Sequence, residues 1–585
     1  MIKNFKFIYQ YFKKYWFSYL LGIIALFVVD LLNAYIPKLT GEIVDGLTNQ
    51  TFVMKDVLNV VKTISIYGFF IALGRFGWRF FISGSSRAIT KDIRQNMFQH
   101  MESLPNRFYK EHKTGDLMAH FSNDLNSIQM MMGAAVISAF DASVMLILVL
   151  VQMLTYVSVK LTLIAVLPFL LICVGNYFYG KWMHKRFLEK QEAFSELSDA
   201  AQETVSGIRV IKSFVQEKRE LYAFARINLH NKEKNLRVVE LQALFMPLLD
   251  LIIGISSLLT LLYGGYLSLC KEITAGQFIA FNQYITMLVW PMLAVGECIT
   301  FFSQGFASIF RIRKLMEEKS DIEEKGDSSI QTLQGAISIK DLSFSYPDAA
   351  NDPVLSHISV DIPKGETLAV MGATGSGKTS LISLLLRIYD TDKECIFYDG
   401  TPIQKVPLPV LKKNIAYVPQ ENFLFSDTIY GNIAFGLKDA SKEQVIKASK
   451  DAYIYDNIMD FPEAFDTVVG ERGVTLSGGQ KQRISIARAL ILDAPVLILD
   501  DSLSAVDTNT EKEILTNLKN LRKGKTTIII AHRISTIEHA DHCLVLENGC
   551  MKEYGSHNDL ISQNGIYARI YHKQQLEAMI AEEGE

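Results

Sequence analysis

Apolar positions are distributed unevenly along the chain. The first half holds six long apolar runs, at roughly 16–40, 57–83, 128–157, 160–180, 244–269 and 276–302. Each meets the ~20-residue length a helix needs to cross the hydrocarbon core. Ahead of them, residues 3–14 mix Lys3, Lys6, Lys13 and Lys14 with Phe5, Phe7, Ile8, Tyr11 and Phe12. That mixture predicts a short helix lying on a membrane surface. Two connections, near 86–127 and 181–243, are too long for simple loops and have a polar, helical pattern, so the spans are expected to continue as helices beyond the bilayer. Both are rich in Lys and Arg, which with the basic N-terminus places them on the cytoplasmic side. The turns Ser158-Val159-Lys160 and Lys271 to Gly276 then face outward. An even number of spans returns the rest of the chain to the cytoplasm. The expectation is a multi-pass protein of the plasma (inner) membrane with both termini cytoplasmic.

The pattern changes near residue 320. A polar stretch from Glu317 to Ser329 reads as a linker. After it, Ala336 to Phe344 alternates like a strand. Glu366 to Met371 is a short apolar run suited to a buried strand, and Ser380 to Leu386 reads as the start of a helix. The expected organisation is a six-span α-helical transmembrane domain over 1–320, a linker over 321–335, and an α/β P-loop NTPase domain over 336–585.

Candidate chemistry supports that division. Gly372-Ala373-Thr374-Gly375-Ser376-Gly377-Lys378-Thr379, followed by Ser380, fits G-x-x-x-x-G-K-[ST] at every fixed position. Lying between a strand and a helix, such a loop aims backbone N–H groups and a helix N-terminus at phosphates. Lys378 would supply charge to the β- and γ-phosphates and Thr379 a hydroxyl to Mg²⁺. A second strand, Pro495 to Leu499, ends in Asp500, a carboxylate placed to hold Mg²⁺ from the other side. Between the two lies Leu476-Ser477-Gly478-Gly479-Gln480, a serine and two glycines at a helix start. One chain has no evident need of two phosphate-facing helix ends, so this one is expected to cover a partner's nucleotide.

Composition narrows the picture further. With 59 basic and 62 acidic residues among 585, the charge balance argues against a nucleic-acid partner. The mean hydropathy of +0.17 reflects the apolar first half. Six scattered cysteines without C-x-x-C spacing read as reduced thiols. Asp30 interrupts the first apolar run, and no signal-peptide cleavage pattern follows it. Asp141, Asp250 and Glu297 lie roughly 17–22 residues inward from the outer turns, about 25–33 Å at ~1.5 Å per residue, with Asp30 nearer mid-depth. Two readings stand: an acidic patch admitting cationic amphiphiles, or carboxylates paired with Arg75 or Arg79 or solvated on extended helices.

Taken in order, these motifs place the chain in a resemblance to ABC exporters that covers nearly its whole length. Residues 336–575 look like the ABC nucleotide-binding domain and 1–320 like the six-helix membrane domain. The resemblance implies that Tyr346 stacks on adenine, and that Leu476-Ser477-Gly478-Gly479-Gln480 is the signature. It implies that Gln420 meets Mg²⁺ or the attacking water, and that Asp507 belongs to a loop crossing a dimer interface. His532 would be the switch histidine at the γ-phosphate. Thr467 to Gly473 resembles a segment contacting the intracellular helices, and 114–117 and 203–214 resemble coupling-helix regions. The expected cofactors are ATP and Mg²⁺; the expected partners are a second half-transporter, membrane lipid and a small amphiphilic substrate. One position departs from the family pattern. Where Glu usually follows the Mg²⁺ aspartate as general base, this chain has Asp501, as in the degenerate member of heterodimeric pairs. A homodimer, and an ATP-gated sensor that moves no solute, remain as alternatives.

Overall fold

A computed structural model describes residues 2–322, 326–349, 352–391, 393–470 and 476–583. The chain divides into two compact units, Met1–Leu104 with Phe108–Glu318, and Pro105–Arg107 with Lys319–Glu585.

The first unit is helical. Five runs are long and apolar enough to cross a membrane among the described residues: Asn4–Thr48, Met54–Glu102, Thr114–Val157, Glu217–Leu269 and Ala275–Glu317. The fourth expected span falls in the helix Val159–Ser206, whose Val159–Phe169 stretch is apolar. The spans do continue as helices. Ala275–Glu317 has 43 residues, about 65 Å at ~1.5 Å per residue, twice the hydrocarbon thickness.

The separate surface helix expected at residues 3–14 does not form. Instead Ile2–Thr48 is one uninterrupted helix of 47 residues. Ile8 and Tyr11 are buried with Ile93 and Met97 of the helix Gly84–Glu102. Tyr11 Oη accepts from Asn96 Nδ2 at 3.1 Å, and Lys14 pairs with Asp92 at 2.6 Å. The apolar face that suited lipid is used against a neighbouring helix, which sequence periodicity cannot distinguish.

Glycine sets one helix crossing. A Cβ on Gly276 would lie 2.0 Å from the Gly41 carbonyl oxygen, so the first and last long helices approach backbone to backbone. Asp45 accepts there from the Gly276 N–H at 2.7 Å, and Tyr284 Oη donates to the Ala34 carbonyl at 3.1 Å. Farther along, buried Asp124 takes a forked contact from Arg311 and a 2.8 Å bond from Ser308.

The second unit is built on a ten-stranded sheet ordered β5-β4-β1-β2-β10-β9-β3-β8-β7-β6. Its strands are β1 Ile337–Phe344, β2 Leu355–Ile362, β3 Thr367–Gly372, β4 Ile396–Tyr398, β5 Thr401–Pro402, β6 Ile415–Val418, β7 Val496–Asp500, β8 Thr526–Ile530, β9 His542–Glu547 and β10 Cys550–Gly555. From β9 through β6 all neighbours run parallel. These strands read as continuous β-branched runs because helices cover both faces. In register, Val370 pairs Ile530, Ile530 pairs Asp500, and Leu499 pairs Val418. The carboxyl ends of β3, β8, β7 and β6 therefore line up along one edge, where open α/β sheets place their ligands.

Candidate functional site

Each aligned strand end delivers one expected residue. β3 opens into the phosphate loop, and the helix Lys378–Leu385 follows. Gly375 and Gly377 have φ of +82° and +97°, values costly for any other residue. A Cβ on Gly372 would stand 2.3 Å from the Leu546 carbonyl oxygen and 2.5 Å from Ser376 Oγ. Ala373, Thr374 and Thr379 are exposed, whereas Ser376 is buried with a hydroxyl that has no partner among the described residues. A glycine-rich loop that leads into a helix N-terminus around such a hydroxyl fits a phosphate. Lys378 is buried and donates to the Gly372 and Ala373 carbonyls at 2.8 and 2.9 Å. Burial pushes its ammonium below the usual lysine value, while Asp500 and Asp501 oppose that.

Asp500 ends β7, fully buried, with the Tyr417 hydroxyl donating to it at 3.5 Å. Burial first, then the neighbouring Asp501, hold its carboxyl above the ordinary range; Tyr417, Lys378 and His532 pull it back. The adjacent carboxylates of Asp500 and Asp501 and the exposed Thr379 hydroxyl are oxygen donors, the kind suited to a hard cation such as Mg²⁺. Asp501 is half-buried at φ +47°, and Gln420 Nε2 donates to its Oδ2 at 3.4 Å. His532 follows β8 and is exposed. It does not cap a helix, since Arg533 precedes the helix Ile534–Ile537. Tyr346 is half-buried, bonded through its hydroxyl to Ser380 Oγ at 2.8 Å and set edge-on to Tyr389.

The glycine-serine segment opens the helix Gly478–Leu490. Ser477 and Gln480 form a reciprocal capping box, with bonds of 3.3 and 2.9 Å. Leu476 is buried beneath it, and Ser477 and Gly478 face solvent. A Cβ on Gly479 would reach the Ala505 carbonyl oxygen at 2.9 Å. Asp507 caps the helix Thr508–Leu521 by accepting from the Thr510 N–H at 2.9 Å. Of Thr467 to Gly473, Glu471-Arg472-Gly473 lie outside the described residues.

Residues 19–292 match the ABC transporter transmembrane region family and residues 355–504 the ABC transporter family. The chain is 37% identical over 98% of both lengths to the probable multidrug resistance ABC transporter ATP-binding/permease protein YheI of Bacillus subtilis. It is 36% identical to the multidrug resistance-like ATP-binding protein MdlA of Escherichia coli, covering 97% of this chain and 96% of that one. An ATP-dependent lipid A-core flippase of Syntrophus aciditrophicus is also 36% identical, over 85% of this chain and 82% of its own. A solved bacterial Atm1-family ABC exporter with ATP bound superposes with a TM-score of 0.77 at 26% identity, covering 96% of this chain and 98% of its own.

The chain is an ABC exporter half-transporter.

It is therefore a multi-pass membrane protein whose ATPase is coupled to transport. Three residues of the exporter's motor unit escaped the sequence reading. Gln482 accepts from the Ala505 N–H at 2.9 Å and donates to Ser504 Oγ at 3.3 Å; Ser504 in turn donates to the Asp501 carbonyl at 3.0 Å. Gln574, on the C-terminal helix Ile566–Glu583, donates to the His532 carbonyl and accepts from the Ile534 N–H, both at 2.8 Å. Glu511 is buried, pairs with Arg533 at 2.8 Å and takes the Thr536 hydroxyl. Only the Ser477–Gln480 capping spacing had a local signal; these three have none.

In the exporter's membrane unit the four acidic candidates separate. Asp30 and Asp141 line one cavity together with Arg75, while Asp250 and Glu297 are exposed on the isolated chain. Neither Arg75 nor Arg79 makes an ion pair with them among the described residues; Arg79 lies over the Trp78 ring at 5.3 Å. Of the alternatives, pairing with those arginines does not reach ion-pair distance, although Arg75 faces the same cavity as Asp30 and Asp141.

Proposed function

We propose that this chain is one half of a heterodimeric exporter of hydrophobic or amphiphilic solutes, with a slow ATP site of its own. The observation that carries this is Asp501 in the place of the general base, beside an unaltered signature. Its carboxylate is one methylene shorter than glutamate, and a displacement of about 1 Å can cost ~100-fold in rate. Residues 1–320 form the membrane half and 336–585 the motor half, joined by 321–335, in the plasma membrane with both termini cytoplasmic.

In this reading two motor domains meet head to tail. Tyr346 stacks on adenine, and Gly372 to Ser380 hold the phosphates with Lys378 on the β- and γ-oxygens. Thr379, Gln420 and Asp500 would hold Mg²⁺, which neutralises phosphate charge when bound. His532 reaches the γ-phosphate, Asp501 orients the attacking water, and Asp507 lies in the loop that crosses to the partner. Leu476 to Gln480 cover the nucleotide held by the partner's loop. Charge-assisted bonds to the γ-phosphate exist only when the pair is closed, so ATP favours closure and phosphate loss reopens it. That cycle switches the membrane half between inward and outward access.

The test is co-expression. Purified alone, the chain should show little ATPase; with its partner half-transporter, solute-stimulated ATPase and vesicle uptake should appear. Full turnover by the lone chain would instead establish a homodimer. Turnover with no solute moved would favour an ATP-gated sensor.

A further inference from the structure

We infer, resting on the proposed roles of His532 and Asp507, that Glu511 is a positioning residue of this ATPase: its carboxylate ties the turn bearing His532 to the helix capped by Asp507.

Glu511 is 2% exposed and lies in the first turn of the helix Thr508–Leu521. Its N–H donates to the Asp507 carbonyl at 2.9 Å, so its backbone follows the partner-facing loop. Its side chain crosses to a different element. Oε2 accepts from Arg533 Nη1 at 2.8 Å, and Oε1 accepts from the Thr536 hydroxyl. Arg533 directly follows His532 and precedes the helix Ile534–Ile537. Thr536 lies inside that helix, with its N–H on the Arg533 carbonyl at 3.3 Å. One carboxylate thus grips the turn at two points.

A helix of four residues cannot hold its own shape. Packing does not fill the space beside it either, since a cavity of about 130 Å³ opens among Asp501, Glu511, His532, Arg533 and Thr536. The place of His532 is then set by bonds to the turn. Gln574 holds the backbone of that turn from a helix that carries no nucleotide motif. Glu511 holds its side chains from the helix that Asp507 begins. An acid in a first helical turn favours the helix by itself, but an exposed carboxylate would serve that purpose equally. Burial of this one carries a desolvation cost that its two donors offset. Without it the turn is freed, and a displacement of about 1 Å can cost ~100-fold in rate.

The full-length protein, in its assembled dimer in phosphatidylcholine nanodiscs, is loaded with azido-ATP radiolabelled on either the α- or the γ-phosphate. Photocrosslinking at intervals and separation of the chains reads this chain's own site: α-label gives occupancy, and loss of γ-label gives the hydrolysis rate. Measurements use whichever of the native and Asp501→Glu backgrounds turns over faster. Glu511→Ala should lower that rate roughly tenfold or more and leave occupancy within about twofold. Glu511→Gln keeps an acceptor for Arg533 and a donor for the Thr536 oxygen, and should retain roughly a third of the rate or more. A lesion that merely loosens the domain would lower occupancy along with rate, and the amide would not rescue it. An unchanged rate in Glu511→Ala overturns the inference, as does a glutamine variant no better than alanine. If occupancy falls with the rate, Thr536→Val decides, because it keeps the shape and removes one hydroxyl. A rate lowered about threefold or more at full occupancy then supports the brace, and any other result refutes it. His532→Ala is judged apart. Full hydrolysis in that variant removes the proposed role of the histidine, whereas its loss beside an active Glu511→Ala removes the brace alone.

Discussion

Asp501 concentrates two effects in one side chain. It sits in the left-handed region at φ +47°, where Asp is tolerated better than longer residues, and its reach is shorter than that of glutamate. Replacing Asp501 with Glu should therefore raise ATPase at this site by about tenfold or more, while lowering unfolding stability by ~1 kcal/mol. Single-turnover hydrolysis and thermal unfolding on the same preparation check both; unchanged hydrolysis with geometry preserved would remove reach as the limiting factor. A second residue behaves oppositely. Cys543 is wholly buried, and burial pushes its thiol up to about 11. At pH 8 it should alkylate only after unfolding, whereas half-exposed Cys550 should react in the native protein, which mass mapping would resolve. Gly372 to Thr379 could be read as a phosphate loop because its motif is contiguous, whereas Leu476 to Gln480 reads by itself only as a capped helix start and takes its signature role from the family resemblance.

At the scale of elements, the informative unit is the set of parallel strands β3, β8, β7 and β6, whose ends hold the phosphate loop, His532, Asp500 with Asp501, and Gln420. The strands could be read from apolar runs, but their order could not, since hydrophobic pattern is blind to which neighbour pairs with which. The same blindness hid Gln574. Its amide spans the His532 carbonyl and the Ile534 N–H from a helix distant in sequence. Removing two bonds worth ~1 kcal/mol each should loosen the turn that carries His532. On the Asp501→Glu background, where this site turns over, Gln574→Ala should cut kcat roughly tenfold and leave ATP affinity within about twofold, the split expected of lost positioning. An equal fall in affinity would mean the phosphate loop itself had been disturbed. The first helix teaches the complementary lesson. Residues 3–14 have a pattern that suits lipid or protein equally, and only the packing of Tyr11 beside Asn96 decides between them.

For the whole molecule, six apolar runs and one ordered set of motifs were enough to identify two units and their family. The sequence could not show which intramembrane acids meet: Asp30 and Asp141 share a cavity although they differ in depth, whereas Asp250 and Glu297 are exposed on the isolated chain. If each ATP is enclosed by two chains, damage to one chain should silence the other's site. Ser477→Arg here should reduce ATPase of the assembled pair by ~100-fold or more even though this chain's own phosphate loop is untouched; retained activity would show that nucleotides are not shared. The amide of Gln574 carries one practical implication. Because the helix Ile566–Glu583 is tethered to the turn bearing His532, an affinity tag fused at the carboxyl end is attached to the same helix that steadies that turn. Rates should therefore be compared before and after removal of a cleavable handle, and a difference between the two would report strain passed along that helix.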